Sequence, residues 1–122
     1  MSTLYTNSAA QHAIKYWWNS IAEYKPLLEA SFREFASASR DDRKRRVKEL
    51  MSFYRNLSQS NHPAAADTLY VHLGQMVLHL RLSYEASLRQ PDRHNDHYRF
   101  AQSELLKFQQ HLSQYGIIVV FA

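Results

Sequence analysis

Only two glycines and three prolines interrupt the 122 residues of this chain, and this scarcity constrains the fold more than any other feature. The long stretches between them are rich in Ala, Leu, Glu, Gln, Lys and Arg, which lose least free energy on entering a helix. The chain is long enough for one continuous apolar core and too short for a second domain. These features predict one all-α domain over residues 1–122, a small antiparallel bundle of four to five helices.

Apolar residues at helical spacing predict five helical segments. They cover residues 8–24, a short stretch that opens at Pro26, residues 41–57, a long stretch that follows Pro63 and ends near Leu88, and residues 92–115. The first two segments form either two helices or one kinked helix. Asp41 or Asp42 is the expected N-cap of the third segment.

The third and fifth segments each carry one apolar stripe. In the third segment the stripe comprises Val47, Leu50, Met51, Tyr54 and Leu57. In the fifth segment the stripe comprises Tyr98, Ala101, Leu105, Phe108, Leu112 and Tyr115. We expect both stripes to pack against other helices.

The fourth segment is apolar on two sides. One side carries Leu69, Leu73, Met76, Val77, Leu80 and Tyr84. Val71, Leu78 and Leu82 fall on the opposite side, about 180° away at about 100° per residue. Because a helix that is apolar on two sides has to be buried on both, this segment is either the central helix of the bundle or a subunit-contact helix.

An apolar tail follows the fifth segment. Gly116 stands where the C-terminus of a helix favours a left-handed residue, and the tail comprises Ile117, Ile118, Val119, Val120 and Phe121. Such a tail docks back on the bundle, pairs as a short β-strand with another chain, or binds a partner.

The first segment is strongly aromatic. We assign Trp18, with Ile14 and Ile21, to the core, and we expect Tyr16 and Trp17 to be exposed. Trp17 is therefore a candidate anchor for a partner or dimer interface, since aromatic residues bury a large area at low entropic cost.

The positive charge is local. The net charge is +4, and residues 40–49 contribute +3 of it, with six Lys or Arg against three Asp or Glu. Arg43, Lys44, Lys48 and Arg55 are candidate contacts for a polyanion such as a nucleic acid. The alternatives are a solvated helix face and an acidic protein partner.

Catalytic patterns are weak. The chain has no cysteine, no Gly-rich phosphate loop and no paired carboxylates on one helix face, and the histidine pairs His72/His79 and His94/His97 lack an acid at ligand spacing. Arg89 and His94 have the R-x4-H spacing of HEPN ribonucleases, although Pro91 interrupts the helix that should carry both. We predict a protein that is not an enzyme and uses no cofactor and no metal, with a HEPN-like ribonuclease as an alternative.

The C-terminal half resembles the TraM-type antiactivators of bacterial quorum sensing in its layout. The resemblance rests on the long amphipathic helix over residues 69–91, on Phe100-Ala101-Gln102 opening the next helix, and on Gly116 leading into residues 117–120. It implies a homodimer in the cytoplasm that sequesters a LuxR-type transcription factor. The fourth helix and the tail would then be the contact surfaces.

Together these observations predict a regulatory or adaptor protein that acts by protein–protein interaction. The alternatives are a basic nucleic-acid-binding protein, the ribonuclease, and a phage- or plasmid-derived inhibitor of a host complex. The lack of cysteine, of a signal-like start and of any run of 18 apolar residues predicts a cytoplasmic protein without membrane contact.

Overall fold

The computed structural model describes residues 8–90 and 96–121, which form five α-helices. These are α1 (Ser8–Ile21), α2 (Lys25–Arg33), α3 (Arg40–Gln59), α4 (Asp67–Arg89) and α5 (Asp96–Ser113). Single 3-10 turns, Ala22–Tyr24 and Ala64–Ala66, precede α2 and α4. The described ranges contain no β-strand, so the all-α prediction is confirmed there. None of their helices is long and apolar enough to cross a membrane.

Local sequence explains where two of the helices begin. Pro26 lies in the first turn of α2, where no intrahelical amide donor is needed, and the preceding 3-10 turn separates α2 from α1. Ser39 caps α3, because its hydroxyl accepts a hydrogen bond from the backbone N–H of Asp42 at 3.1 Å. The prediction that Asp41 or Asp42 is the cap is wrong. Both carboxylates lie in the first turn, near the positive end of the helix dipole.

Helix α4 lies between α3 and α5. At one end, Arg40 of α3 donates a hydrogen bond to the backbone carbonyl of Leu88 near the end of α4, at 3.3 Å. On the other side, Nδ1 of His79 lies 2.9 Å from Nδ1 of His97 at the start of α5. The three helices α3, α4 and α5 therefore pack side by side, and we call them the helical layer.

Helices α1 and α2 cover one side of the helical layer. One contact joins this segment to each helix of the layer. Tyr24 stacks on Phe53 of α3 with ring centroids 4.1 Å apart, and Trp18 packs on Phe108 of α5 with centroids 5.5 Å apart. The hydroxyl of Tyr84 in α4 donates a hydrogen bond to the backbone carbonyl of Ser31 at 2.6 Å. The continuous apolar core lies between α1–α2 and the layer. The six residues predicted for the first side of α4, from Leu69 to Tyr84, are all fully buried in this core.

The apolar stripe predicted for α3 is partly wrong. Leu50 and Leu57 are buried as expected, but Phe53 completes the buried side, while Met51 and Tyr54 are each 38% exposed. The ring of Tyr24 stacks on Phe53 and sets which side of α3 faces the core. Met51 and Tyr54 are consequently turned toward the opposite side of the layer.

The two aromatic residues expected at the surface of α1 differ in how far they are exposed. Tyr16 is 80% exposed, as predicted, whereas Trp17 is only 3% exposed, so the prediction that Trp17 is exposed is wrong. Trp17 lies with Ile14, Trp18 and Ile21 on the side of α1 that enters the core. It is consequently not an accessible anchor for a partner.

The tail docks back on the bundle. Gly116 has φ = +75°, the left-handed conformation expected after α5. Beyond it, Ile117 and Val119 are buried, and Ile118 and Val120 are 84% and 67% exposed. Gln109 of α5 donates a hydrogen bond to the backbone carbonyl of Val119 at 3.0 Å. Residues 117–121 form no strand.

Candidate protein-binding surface

The side of the layer that faces away from α1 and α2 carries apolar residues that the chain itself does not bury. We define the outer face as Lys44, Lys48, Met51, Tyr54, Arg55 and Ser58 of α3, with Tyr70, Val71, Gly74, Gln75, Leu78, Arg81 and Leu82 of α4. Val71 is 51% exposed, and Leu78 and Leu82 are half-buried between their neighbours. The second apolar side of α4 is therefore open to water in this chain.

A first depression of about 170 Å³ lies between α3 and α4, and we call it the apolar depression. Its lining residues are Tyr54, Leu57, Ser58, Tyr70, Val71, Gly74 and Gln75. Gly74 forms part of its floor, since it has no side chain, and a Cβ built there would meet no atom within 4 Å. None of its lining residues carries a charge.

A second depression of about 290 Å³ adjoins it, and we call it the basic depression. It is lined by Met51, Tyr54, Arg55, Ser58 and Arg81, so Tyr54 and Ser58 belong to both depressions. Arg81 forms an ion pair with Glu85 at 3.0 Å. Within residues 8–90 and 96–121, Arg55 has no carboxylate partner. The basic depression therefore contains two guanidinium groups and no acidic lining residue.

Lys44 and Lys48 continue this basic character along α3. They precede Met51 and Arg55 at spacings of four, three and four residues, which places all four on one side of the helix. Both lysines are exposed, and neither pairs with an acid in the part of the chain that the structure describes. The structure thus brings the predicted polyanion contacts Lys44, Lys48 and Arg55 onto the same face as Val71.

Arg45 and Arg46 are used within the chain. Arg45 pairs with Asp42 at 3.0 Å and with Glu49 at 3.3 Å. Arg46 is only 8% exposed and pairs with Glu34 at 2.7 Å. These two arginines link α3 to itself and to the end of α2, whereas Lys44, Lys48 and Arg55 have no acidic partner within residues 8–90 and 96–121.

Arg43 does not share the outer face with the other predicted polyanion contacts, Lys44, Lys48 and Arg55. Its Nε donates to the backbone carbonyl of Ala38 at 2.9 Å and its Nη1 donates to the hydroxyl of Ser87 at 2.8 Å. The guanidinium also lies 5.4 Å from the ring centroid of Phe35. Because its donors are engaged and it is half-buried, Arg43 holds α3 against α4.

Histidines line the seam between α4 and α5. His72 shares a hydrogen bond of 2.6 Å with the carboxylate of Glu104, which is only 5% exposed and also pairs with Lys107 at 3.5 Å. The His79–His97 contact lies further along the same seam. In the described residues, no group of three or more His, Asp or Glu side chains is arranged to hold a metal ion. The seam joins two helices of the layer.

Two of these histidines have shifted proton affinity. Burial lowers the pKa of His79, and the neighbouring charge of His97 lowers it further, while Glu104 acts in the opposite direction. Burial also lowers the pKa of His111, with a smaller contribution from His72. Both imidazoles are therefore held toward their neutral form.

Other predicted positions lie elsewhere. His94 of the R-x4-H pattern lies outside the described residues, and Arg89 is an exposed residue at the end of α4. The tail lies beside α1 and α2, since Gln11 of α1 donates to the carbonyl of Tyr115 at 2.7 Å and Lys25 of α2 lies 5.6 Å from the ring centroid of Phe121. Beside the tail, a groove of about 470 Å³ runs between α2 and α5, lined by Glu29, Phe32, Arg33, Tyr98, Gln102, Leu105, Leu106 and Phe121.

Sequence reasoning missed seven of the thirteen residues of the outer face, among them Tyr54, Arg81 and Gly74. The apolar stripe of α3 assigns Tyr54 to the core, and no sequence pattern points to Arg81. Gly74 lies inside a helix, where glycine costs about 1 kcal/mol relative to alanine. An interior helical glycine is a sequence signal for a packing or contact site. That signal could have pointed to the apolar depression.

The comparisons with known proteins leave the interpretation to this geometry. No protein-family model, no curated protein and no solved structure matches the chain. The outer face is therefore interpreted from its own residues, their exposure and their charges.

Proposed function

We propose that this protein is a non-catalytic regulator or adaptor that binds another protein through the outer face. The observation that carries the proposal is the conjunction of exposed apolar side chains, two adjoining depressions and cations without acidic partners on one side of α3 and α4. Contiguous apolar surface exposed by a folded domain is typical of interaction sites. Aromatic and arginine residues, here Tyr54 and Arg55, are also enriched where partners bind.

In this proposal the helices form an antiparallel bundle that presents the outer face on rigid elements. The contact of Arg40 with Leu88 supports opposite directions for α3 and α4. The pairs His72–Glu104 and His79–His97 support opposite directions for α4 and α5 in the same way. A surface carried by packed helices keeps its shape on binding, which limits the entropic cost of association.

We place any self-association of the chain at the tail and not at the outer face. A two-fold contact through the outer face would bring Lys48 and Arg55 of both copies into one interface, and like charges gathered there oppose binding. Ile118 and Val120 are exposed apolar residues, and residues 117–121 themselves carry no charged side chain. Light scattering of the full chain and of a chain lacking residues 119–122 tests this: a homodimer that persists without the tail contradicts the assignment.

The antiactivator function is one specific form of this proposal. A cytoplasmic protein that covers a transcription factor with its outer face would keep that factor from DNA, as the resemblance to TraM-type proteins implies. An inhibitor of a host complex would use the same face in the same way. The general proposal requires only a protein partner.

Quantitative co-purification from cells that produce the protein naturally tests the proposal. The tagged protein is compared with Val71→Glu and with Leu106→Glu, a matched change at an apolar residue that is 59% exposed on α5. We expect a set of proteins that is lost with Val71→Glu and retained with Leu106→Glu. Identical sets for the three proteins would overturn the proposal.

Nucleic-acid binding is the second candidate, because Lys44, Lys48 and Arg55 have no acidic partner within the described residues. It predicts affinity for duplex DNA or RNA that falls steeply with salt concentration. It also predicts that the uncharged changes Val71→Ser and Met51→Ser matter little, because a phosphate backbone offers no apolar surface. The exposed apolar residues between these cations favour the protein partner.

A further inference from the structure

We propose that the partner segment is an acidic amphipathic helix that lies along the outer face. An apolar side chain of this helix fills the apolar depression, and a carboxylate about one turn away binds between Arg55 and Arg81. This inference rests on the proposed function and adds the chemical class of the partner.

The two depressions are spaced for neighbouring residues of one helix. They share Tyr54 and Ser58 as a common wall, so they are directly adjacent. On a helix, side chains three or four positions apart lie about 5–6 Å from each other on one face. An apolar residue followed or preceded by Asp or Glu at that spacing therefore fits both depressions at once.

Each depression taken singly is smaller than the usual site for a small molecule. Their volumes are about 170 and 290 Å³. Sites for drug-sized ligands and cofactors usually enclose about 300–1,000 Å³. Shallow, adjoining depressions on a flat helical surface instead suit the side chains of a protein segment.

The charges of the outer face select an acidic partner. Neither depression is lined by an acid, and within the described residues Glu85 is the acid that pairs with Arg81, at one edge. A partner with carboxylates at the matching positions gains from these cations, whereas a second copy of this chain would bring the same cations together. The apolar centre formed by Val71 and Tyr54 disfavours a nucleic acid in turn.

The secondary structure of the site favours a helical partner. An extended peptide binds chiefly by adding a strand to the edge of a sheet. The outer face is built only from α3 and α4, whose backbone donors and acceptors are bonded within the helices. An amphipathic helix needs no such backbone pairing and presents its anchors at spacings of three and four residues.

A display library of helical peptides of about 18 residues, long enough to hold a helix on binding, tests the inference. The library is selected against the full chain and counter-selected against Val71→Glu. We expect enriched peptides to carry Leu, Ile, Met or an aromatic residue with Asp or Glu three or four positions away. We expect their affinity to fall roughly tenfold when salt rises from about 0.05 to about 0.5 M.

Matched variants then assign the two depressions, with helical circular dichroism as the check of folding. Arg55→Glu should weaken the selected peptides by about tenfold or more, and Lys15→Glu, an exposed lysine of α1, should not. Gly74→Leu should weaken them similarly by filling the apolar depression. A Cβ at Gly74 meets no atom within 4 Å, and the circular dichroism of Gly74→Leu should match that of the parent. Leu106→Glu should leave their affinity unchanged.

Four results would overturn the inference. They are enrichment of basic or uncharged peptides, no enrichment that depends on Val71, a dimer that Val71→Glu dissociates, and tighter binding of a fluorescent DNA duplex than of any peptide with no loss in the uncharged variant Val71→Ser. If co-purified proteins still depend on Val71 while the enriched peptides lack acids, the protein-binding function stands and the acidic partner is wrong.

Discussion

Replacing Tyr84 with Phe tests how α2 is held on the helical layer. The hydroxyl of Tyr84 donates to the carbonyl of Ser31 at 2.6 Å, and both residues are fully buried. Tyr84→Phe keeps the ring and its edge-on contact with Phe35, so it leaves no large cavity. It removes the hydroxyl donor and leaves the buried carbonyl of Ser31 without this hydrogen bond, and water cannot replace it there. We expect a loss of about 1–3 kcal/mol in the free energy of unfolding.

Urea unfolding followed by tryptophan fluorescence measures this loss, with Tyr16→Phe as the control, since Tyr16 is 80% exposed. The midpoint should fall in Tyr84→Phe at an unchanged slope, and the control should stay within about 0.5 kcal/mol of the parent. Equal stability of the parent and Tyr84→Phe would refute the reasoning that a buried hydrogen bond joins α2 to α4.

The same hydroxyl predicts a loss of stability at high pH. Burial raises the pKa of Tyr84 to about 12, from the usual value of 10.0. Tyr84 ionises at a lower pH in the unfolded chain than in the folded chain. The stability that its neutral hydroxyl contributes is therefore complete below pH 10.0 and is lost as the pH rises toward 12. Urea midpoints across this range should fall more steeply for the parent than for Tyr84→Phe.

Four further predictions concern single residues. Gly74→Ala should raise the free energy of unfolding by about 0.5–1 kcal/mol, because alanine is favoured over glycine inside a helix. Gly116→Ala should lower it by about 1 kcal/mol, because Gly116 has φ = +75° and a Cβ there would lie 3.3 Å from the side chain of Gln11. Urea unfolding checks both predictions. Arg43→Ala should cost about 1–2 kcal/mol by the same assay and leave peptide binding at the outer face unchanged. The pKa of His79 is lowered in the folded chain. The stability that comes from keeping His79 neutral is therefore present above pH 6.5 and is lost as the pH falls through the pKa of the folded chain. Urea midpoints measured at acidic and at neutral pH should differ less in His79→Leu than in the parent.

Local patterns predicted the elements that depend on one helix alone. The side of α4 from Leu69 to Tyr84 is buried throughout, and its six apolar residues at helical spacing outnumber the three on the opposite side. Gly116 is left-handed for an equally local reason, since a helix end favours a residue without Cβ there.

Features that depend on contacts distant in sequence escaped prediction. In α3, Phe53 and the pair Met51 and Tyr54 were equally plausible core residues by spacing, and stacking by Tyr24 decided between them. Glu104 reads as a surface acid in the sequence, yet it is buried because His72 and Lys107 supply its partners. No single-helix pattern contains such information.

The candidate site was predicted in pieces. Val71 and Leu78 were assigned to one interface, and Lys48 and Arg55 to a separate polyanion site. How far each helix is rotated about its axis follows from packing in the core, and this rotation places both sets on one face. The position of the tail also depends on contacts distant in sequence, and the structure buries Ile117 and Val119 in the core.

The central claim is that the outer face binds a protein, and site-specific photo-crosslinking tests it most directly. A photoreactive amino acid replaces Val71 in one variant and Leu106 in another, two apolar residues of similar exposure, 51% and 59%. In cells that produce the protein naturally, we predict a discrete protein adduct at position 71 that Gly74→Leu abolishes, and none of that mass at position 106. No adduct at position 71, or the same adduct at both positions, would contradict the claim.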